Sequence, residues 1–228
     1  GDLWKGFHQD MGNVAKEGEI AFSNGKKPVR LIKQLIRWAN NTENGIVLDF
    51  FAGSGTTAHA VMQANAEDGA DRRFVVVQIG ETPEPKSDAA KAGFRTIAEV
   101  SKERIRRAAK KIGEEVSEGR QTGDELDLGF RVLKIDTSNM ADVYYTPDQI
   151  AQGDLLDTVD NIKPDRTPED LLFQVMLDWG VDLALPIERK VIQGKDVYFV
   201  DTDALAACFD KTGGIDGAFP QELATHKP

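Results

Sequence analysis

The sequence has few residues that form disulfides or bind metal ions. It contains one cysteine, Cys208, and its three histidines, His8, His59 and His226, lie far apart in the chain. A single cysteine cannot form an internal disulfide, and no group of cysteines and histidines has the spacing of a metal site. We therefore expect a reducing compartment, the cytoplasm, with neither a structural metal nor a histidine-based catalytic triad.

Long apolar runs and an excess of basic residues are also absent. No stretch approaches the roughly 20 apolar residues of a membrane-spanning helix, and the charged start has no apolar signal-peptide region. The chain has 28 Lys and Arg against 38 Asp and Glu, a net charge of -10. Because nucleic-acid binding depends on basic residues that neutralise phosphates, this charge argues against a DNA-binding surface over the whole chain. The sequence predicts a soluble protein without membrane contact.

A strand, a glycine-containing turn, a helix and a second strand follow one another in the first half. A first helix is predicted from Pro28 to Trp38 by its apolar spacing, and Asn40, Asn41, Asn44 and Gly45 end it. Residues Ile46–Leu48, followed by Asp49, and Arg73–Ile79 are predicted as strands buried on both faces. Such a βαβ unit predicts a parallel sheet with a ligand site at the carboxyl ends of its strands.

Further elements are predicted downstream, and they divide the chain into two domains. They are one helix over Ser87–Gly113, whose basic run Lys102–Lys111 is predicted as a solvated face, a surface loop over Gly119–Asp127, a strand over Phe130–Ile135, a helix over Pro168–Trp179 capped by Thr167, a hairpin around Gly194-Lys195, and a helix over Thr202–Cys208. We expect a ligand-binding part over residues 1–139 and a small α/β appendage over residues 140–228.

The turn between the first strand and its helix carries the chemical signal. Gly53 and Gly55 lack side chains where a ligand would approach the backbone. The turn has neither the third glycine of the dinucleotide fingerprint nor the Gly-Lys-Ser/Thr of a phosphate-binding loop, so phosphate fits poorly. A carboxylate at the strand tip, Asp49, suits a cationic, hydroxyl-bearing ligand such as S-adenosylmethionine, and Phe50 or Phe51 would lie against its adenine or methionine portion.

These residues resemble a known family. DFFAGSGTT, from Asp49 to Thr57, closely resembles motif I of the β-group amino methyltransferases, and Lys27-Pro28 with the following helix resembles their motif X. The resemblance implies a Rossmann-like methyltransferase fold, present here in part with a mostly parallel sheet. It implies cofactor contacts from Lys27, Pro28, Asp49, Phe50, Phe51, Ala52, Gly53, Ser54, Gly55, Thr56 and Thr57, and a ribose contact from Gln78 or Glu81.

Further segments resemble the modification subunits of type III restriction-modification systems. These segments are Asn65–Gly69, Arg72–Gln78, Glu103–Ala108, Gly129–Val132 followed by Ser138-Asn139, and Glu169–Leu172. The resemblance implies methylation of adenine N6 in duplex DNA, with S-adenosylmethionine as cofactor. It also implies a restriction subunit as partner and a homodimeric full-length protein.

One expected motif is missing from the sequence. Amino methyltransferases use an (Asp/Asn)-Pro-Pro-(Tyr/Phe) tetrapeptide, which binds the target amino group and stacks on the flipped base, but this sequence contains no Pro-Pro pair. No catalytic residue is therefore assigned. We expect a piece of a longer protein, inactive alone, whose missing N-terminal and target-recognition regions contact DNA.

Two other functions stay open at this point. Apolar residues around Leu171, Phe173, Met176, Trp179 and Tyr198 would form either a small core or the interface of a subunit-interaction module. Alternatively, the glycine turn would belong to a nicotinamide-dependent oxidoreductase, with Glu81 on the ribose, although its glycine count is wrong and the Lys-Pro helix is unexplained.

Overall fold

The structure divides into two compact units. The computed structural model describes residues 6–22, 25–39, 44–119, 126–141, 161–202, 204–213 and 215–226. The first unit comprises residues Gly1–Phe130 and the second Arg131–Pro228. The predicted loop over Gly119–Asp127 falls mostly outside the described residues, as do Asn40 and Asn41 and most of the chain from 140 to 160.

The first unit is built on two parallel strands and the helix between them. Its helices are α1 (Phe7–Asp10), α2 (Val29–Ala39), α3 (Thr56–Asp68), α4 (Asp88–Lys91) and α5 (Ile97–Gly119), and its strands are β1 (Ile46–Asp49) and β2 (Arg73–Val76). Strands β1 and β2 pair in parallel, with Val47 opposite Phe74. The predicted strand-helix-strand order is confirmed. A segment of two short 3-10 turns, Val14–Glu19, precedes α2.

One face of the β1-β2 sheet is covered and the other is exposed. Helix α3 is buried on several sides, with Ala58, Ala60 and Val61 inaccessible to solvent. It packs with α2 and α5 against the sheet residues on one face, among them Val47 and Phe74. The prediction of strands buried on both faces is wrong, because these helices share one side of the sheet. Apolar side chains on the opposite face remain exposed: Ile46 57%, Leu48 51% and Val75 49%.

The helix predicted over Ser87–Gly113 is interrupted. Gly93 adopts a positive φ of +85°, which ends α4, and Thr96 then caps the start of α5, its hydroxyl accepting a hydrogen bond from the Glu99 amide at 3.2 Å. The predicted strand Phe130–Ile135 is also wrong. Its alternating pattern has no partner strand in the described part of the chain, and Ile135 is 94% exposed.

The second unit is a three-stranded antiparallel sheet between two helices. Helix α6 covers Pro168–Asp178, β3 Ile187–Ile192, β4 Lys195–Val200, β5 Leu205–Ala207 and α7 Ala218–Thr225. Strand β4 is central. Its Tyr198 and Val200 pack with α6, whereas Val197 and Phe199 pack with α7. Most of the apolar residues considered for an interface are thus core, and Trp179 is 71% exposed.

Local signals explain which predictions succeed in this unit. Thr167 and Asp170 form the predicted start of α6 as a reciprocal capping box, with Pro168 at the first helical position. The hairpin is confirmed, but its turn lies one residue earlier than predicted, at Gln193 and Gly194, both at positive φ as a tight turn requires. The helix predicted over Thr202–Cys208 is wrong, because Leu205–Ala207 pairs with β4. None of the helices within the described ranges is long and apolar enough to cross a membrane.

Candidate functional site

The glycine turn lies at the carboxyl end of β1 and is held by the neighbouring strand end. The Ala52 amide donates to the Val77 carbonyl at 3.0 Å, and the Val77 amide donates to the Asp49 carbonyl at 2.8 Å. Within the turn, the Gly55 amide donates to the Ala52 carbonyl at 2.7 Å. The carboxyl ends of both strands and the start of α3 therefore meet at this turn.

The two glycines of the turn have different surroundings. Both have positive φ, +53° at Gly53 and +76° at Gly55. A Cβ at Gly55 would lie 2.8 Å from Ser101 Oγ and 3.1 Å from the Ser101 carbonyl oxygen, so this glycine permits α5 to approach. A Cβ at Gly53 would meet nothing closer than the Phe51 carbonyl oxygen at 3.8 Å. Gly55 is therefore required by packing, whereas the space beside Gly53 is open.

The Asp49 carboxylate organises the turn. One carboxylate oxygen accepts from the Phe51 amide at 3.0 Å, and the other accepts from the Thr57 hydroxyl at 2.5 Å. Because a carboxylate has about four acceptor positions, Asp49 retains capacity for a ligand. The side chain is partly exposed at the tip of β1.

Gln78 and Glu81, the two candidates for a ribose contact, are placed differently. The Gln78 side-chain oxygen accepts from the Gly53 amide at 2.8 Å, and its amide nitrogen donates to the Ile79 carbonyl at 3.3 Å. Gln78 thus fixes the turn to the end of β2. The side chain of Glu81 is exposed, while its amide donates to the Ile79 carbonyl at 2.8 Å.

The remaining turn residues divide into exposed aromatics and buried small side chains. Phe50 and Phe51 are 64% and 90% exposed, whereas Ala52, Ser54 and Thr56 are buried. The open side of the turn therefore presents the two rings, the Gly53 backbone and the Asp49 carboxylate. Ser54 and Thr56 point instead into the protein interior.

Lys27 and Pro28 immediately precede α2. Pro28 is fully buried, and Lys27 is exposed. The neighbouring Lys26 is the buried lysine of this segment, and its ammonium donates to the carbonyls of Ile20 at 2.7 Å and Ala15 at 3.1 Å. Burial, with the nearby Arg104 cation, lowers the pKa of Lys26 to about 8.

Sequence reasoning missed Arg104, which lies behind the turn. The basic run Lys102–Lys111 is predicted as a solvated helix face, but Arg104 is 0% exposed. Its guanidinium donates to the hydroxyls of Ser54 at 2.9 Å and Thr56 at 2.8 Å. One signal in the sequence could have indicated its burial: Arg104 lies between Val100 and Ala108, at helical spacing, on the apolar stripe of α5.

His59, on α3, lies beside this cation. Burial is the main cause that lowers its pKa from the usual 6.5 to about 4, and repulsion from Arg104 adds to it. The unfolded chain therefore binds a proton near pH 6.5, whereas the folded protein binds one only near pH 4. The stability contributed by neutral His59 is present above pH 6.5 and is lost as the pH falls towards 4.

The lowered pKa of His59 predicts that His59→Gln is less sensitive to acid than the wild-type chain. Between pH 7 and pH 4.5, the free energy of unfolding should fall by about 2 kcal/mol less in this variant than in the wild-type chain. Urea denaturation at the two pH values measures the difference. His8→Gln, at an exposed position, is the control. If His59→Gln and the wild-type chain lose stability equally with falling pH, burial of a neutral His59 is not the source of the acid sensitivity.

Comparisons with known proteins identify the family. Residues 1–120 match the N6/N4 methyltransferase family, described as DNA methylase. The chain belongs to the DNA methylase family. The match covers more than half of the chain and contains the glycine turn, α2 and α5.

Curated relatives of this family member include modification subunits. The chain is 45% identical over 111 residues to the type III restriction-modification enzyme StyLTI Mod subunit of Salmonella typhimurium, covering 49% of this chain and 16% of that protein. It is 49% identical over 114 residues to the EcoP15I Mod subunit of Escherichia coli, covering 50% and 15%. The type II methyltransferase M.KpnI of Klebsiella pneumoniae is 39% identical over 62 residues, covering 27% and 15%. The matched segments thus span about one sixth of these relatives.

Proposed function

We propose that this chain is the S-adenosylmethionine-binding part of a site-specific adenine-N6 DNA methyltransferase of a type III restriction-modification system. The observation that carries the proposal is the open glycine turn at the carboxyl end of β1, with Asp49 at the strand tip, in a chain of the DNA methylase family. The relatives named as type III Mod subunits support the restriction-modification context.

The residues present at the turn fit this cofactor. The open space beside Gly53 lets a ligand reach the backbone. The carboxylate of Asp49 has free acceptor positions for ammonium or hydroxyl groups. The exposed rings of Phe50 and Phe51 offer apolar faces that attract a sulfonium and cover an adenine.

Each polar residue at the strand ends then has a role. S-adenosylmethionine supplies an activated methyl group for transfer to the target amino group. Asp49 orients the cofactor by accepting hydrogen bonds while it keeps the turn folded. Since the Gln78 side chain already bonds the Gly53 amide and the Ile79 carbonyl, we assign the ribose hydroxyls to Glu81.

The exposed sheet face supports a larger, Rossmann-like domain. Doubly wound sheets carry helices on both faces, but only one face of the β1-β2 sheet is covered in the described part of the chain. We propose that further strands and helices of a longer protein cover Ile46, Leu48 and Val75. That part would hold the (Asp/Asn)-Pro-Pro-(Tyr/Phe) motif, bind DNA and the restriction subunit, and form the homodimer, while residues 140–228 remain an appendage.

Thermal unfolding with competing cofactors tests the proposal. S-adenosylmethionine at 100 times its dissociation constant should stabilise the chain by about 2.7 kcal/mol and raise the Tm by several degrees, whereas NADH should leave it unchanged. A shift with NADH instead would favour an oxidoreductase. In the same samples, labelled S-adenosylmethionine should transfer no methyl group to duplex DNA, and incorporated label would contradict inactivity of the chain alone.

A further inference from the structure

Arg104 joins the glycine turn to a distant segment of the first unit. Besides the hydroxyls of Ser54 and Thr56, its guanidinium contacts the Glu17 carboxylate at 3.3 Å. Burial lowers the pKa of Arg104 to about 10, with Glu17 opposing the shift, so the group is a cation at neutral pH. Its planar fork of donors allows several acceptors to be bound at fixed angles.

Glu17 extends this connection to the start of α2. Its two carboxylate oxygens lie 3.0 and 3.2 Å from the Val29 amide, the first of α2, directly after Pro28. Gly18, with φ of +71°, permits the close approach, since a Cβ there would lie 2.7 Å from Arg104 Nε. The Glu19 carbonyl accepts a further bond from Arg107, one helical turn along α5.

Two segments of the proposed cofactor site are therefore connected through the Arg104 side chain. The turn is bound through hydroxyls on both sides of Gly55, and the Lys-Pro segment is bound through Glu17. A buried cation that loses one partner leaves unpaired polar groups. The glycine turn and the start of α2 would then no longer be held at one relative position.

We propose that Arg104 is a positioning residue for S-adenosylmethionine, fixing the glycine turn and the start of α2 in the arrangement that binds the cofactor. The inference rests on the proposed function and adds to it a residue that lies behind the turn. Because Arg104 is fully buried, it acts on the cofactor through Ser54, Thr56 and Glu17. It touches no reacting atom and is not catalytic.

The substitution Arg104→Lys tests this role. Lysine keeps the charge but replaces the planar fork by a point charge on a flexible stem, so the acceptors around Arg104 are no longer held together. Arg106→Lys, on the same helix with a side chain 58% exposed, is the matched control. Calorimetric titration of S-adenosylmethionine is made at a temperature where circular dichroism shows each protein fully folded.

Arg104→Lys should bind S-adenosylmethionine roughly tenfold more weakly than wild type, with shifted amide resonances of Gly53 and Gly55. Arg106→Lys should match wild type in both respects. A merely structural role would lower the Tm and leave the affinity and the two resonances of the folded protein unchanged. If Arg104→Lys does not fold, Thr56→Val removes one acceptor and should weaken binding several-fold.

The outcomes separate the two proposals. Wild-type affinity and unchanged resonances in the folded Arg104→Lys protein, or wild-type affinity in Thr56→Val when Arg104→Lys is unfolded, would overturn the positioning role while cofactor binding stands. A wild-type chain that binds no S-adenosylmethionine would overturn both proposals.

Discussion

Gly55→Ala should destabilise the first unit by about 3 kcal/mol. An alanine at φ +76° costs about 1–2 kcal/mol in backbone strain, and its Cβ would lie 2.8 Å from Ser101 Oγ, 3.1 Å from Ser101 O and 3.3 Å from Ser101 Cα. Overpacking of this kind costs a further 1–3 kcal/mol or so. Urea denaturation followed by circular dichroism measures the loss.

Gly69→Ala separates strain from contact. Gly69 has φ of +74° at the end of α3, but a Cβ there meets nothing within 4 Å, so this variant should lose only about 1–2 kcal/mol. Adding Ser101→Ala to Gly55→Ala removes the hydroxyl contact and leaves the two backbone contacts, so stability should recover in part. Equal losses in Gly55→Ala and Gly69→Ala would show that α5 does not constrain the turn.

Gly53→Ala should weaken S-adenosylmethionine binding about tenfold, a loss of about 1.4 kcal/mol, and destabilise the chain only as much as Gly69→Ala. The new Cβ enters the open space where the proposed ligand approaches the backbone. The hydrogen bond from the residue 53 backbone N–H to the Gln78 side chain is retained, because alanine also has this N–H. Titration of the cofactor into both variants gives the comparison, and equal affinity in Gly53→Ala and Gly69→Ala would place the ligand elsewhere.

The glycine turn could be predicted because its signal is local. An apolar strand, two glycines and a helical pattern follow one another within about a dozen residues, and the turn conformation requires those glycines at positive φ. The capping box at Thr167 and the tight turn at Gln193-Gly194 are local in the same sense. Each depends on neighbours within a few positions along the chain.

The features that were missed depend on tertiary contacts. From the sequence, Arg104 is predicted as one of the charged residues on a solvated helix face. Its partners Glu17 and Ser54 are 87 and 50 residues away in the chain, so no local pattern indicates its burial. The short β5 contains two alanines, so its sequence resembles that of a helix. It forms a strand because it pairs with β4. Burial of β1 on both faces would require a second layer, which no local pattern specifies.

The central claim is that the glycine turn binds S-adenosylmethionine, and calorimetric titration into the wild-type chain and Asp49→Asn tests it most directly. The asparagine oxygen can still accept from the Phe51 amide, and its amide nitrogen can donate to the Thr57 hydroxyl in place of the bond that the carboxylate accepts. Because the charge is lost, affinity should fall about 10- to 100-fold. Asp71→Asn, at an exposed position, should bind like wild type. Wild-type affinity in a folded Asp49→Asn protein, or no heat with either S-adenosylmethionine or its demethylated product in the wild-type chain, would contradict the account.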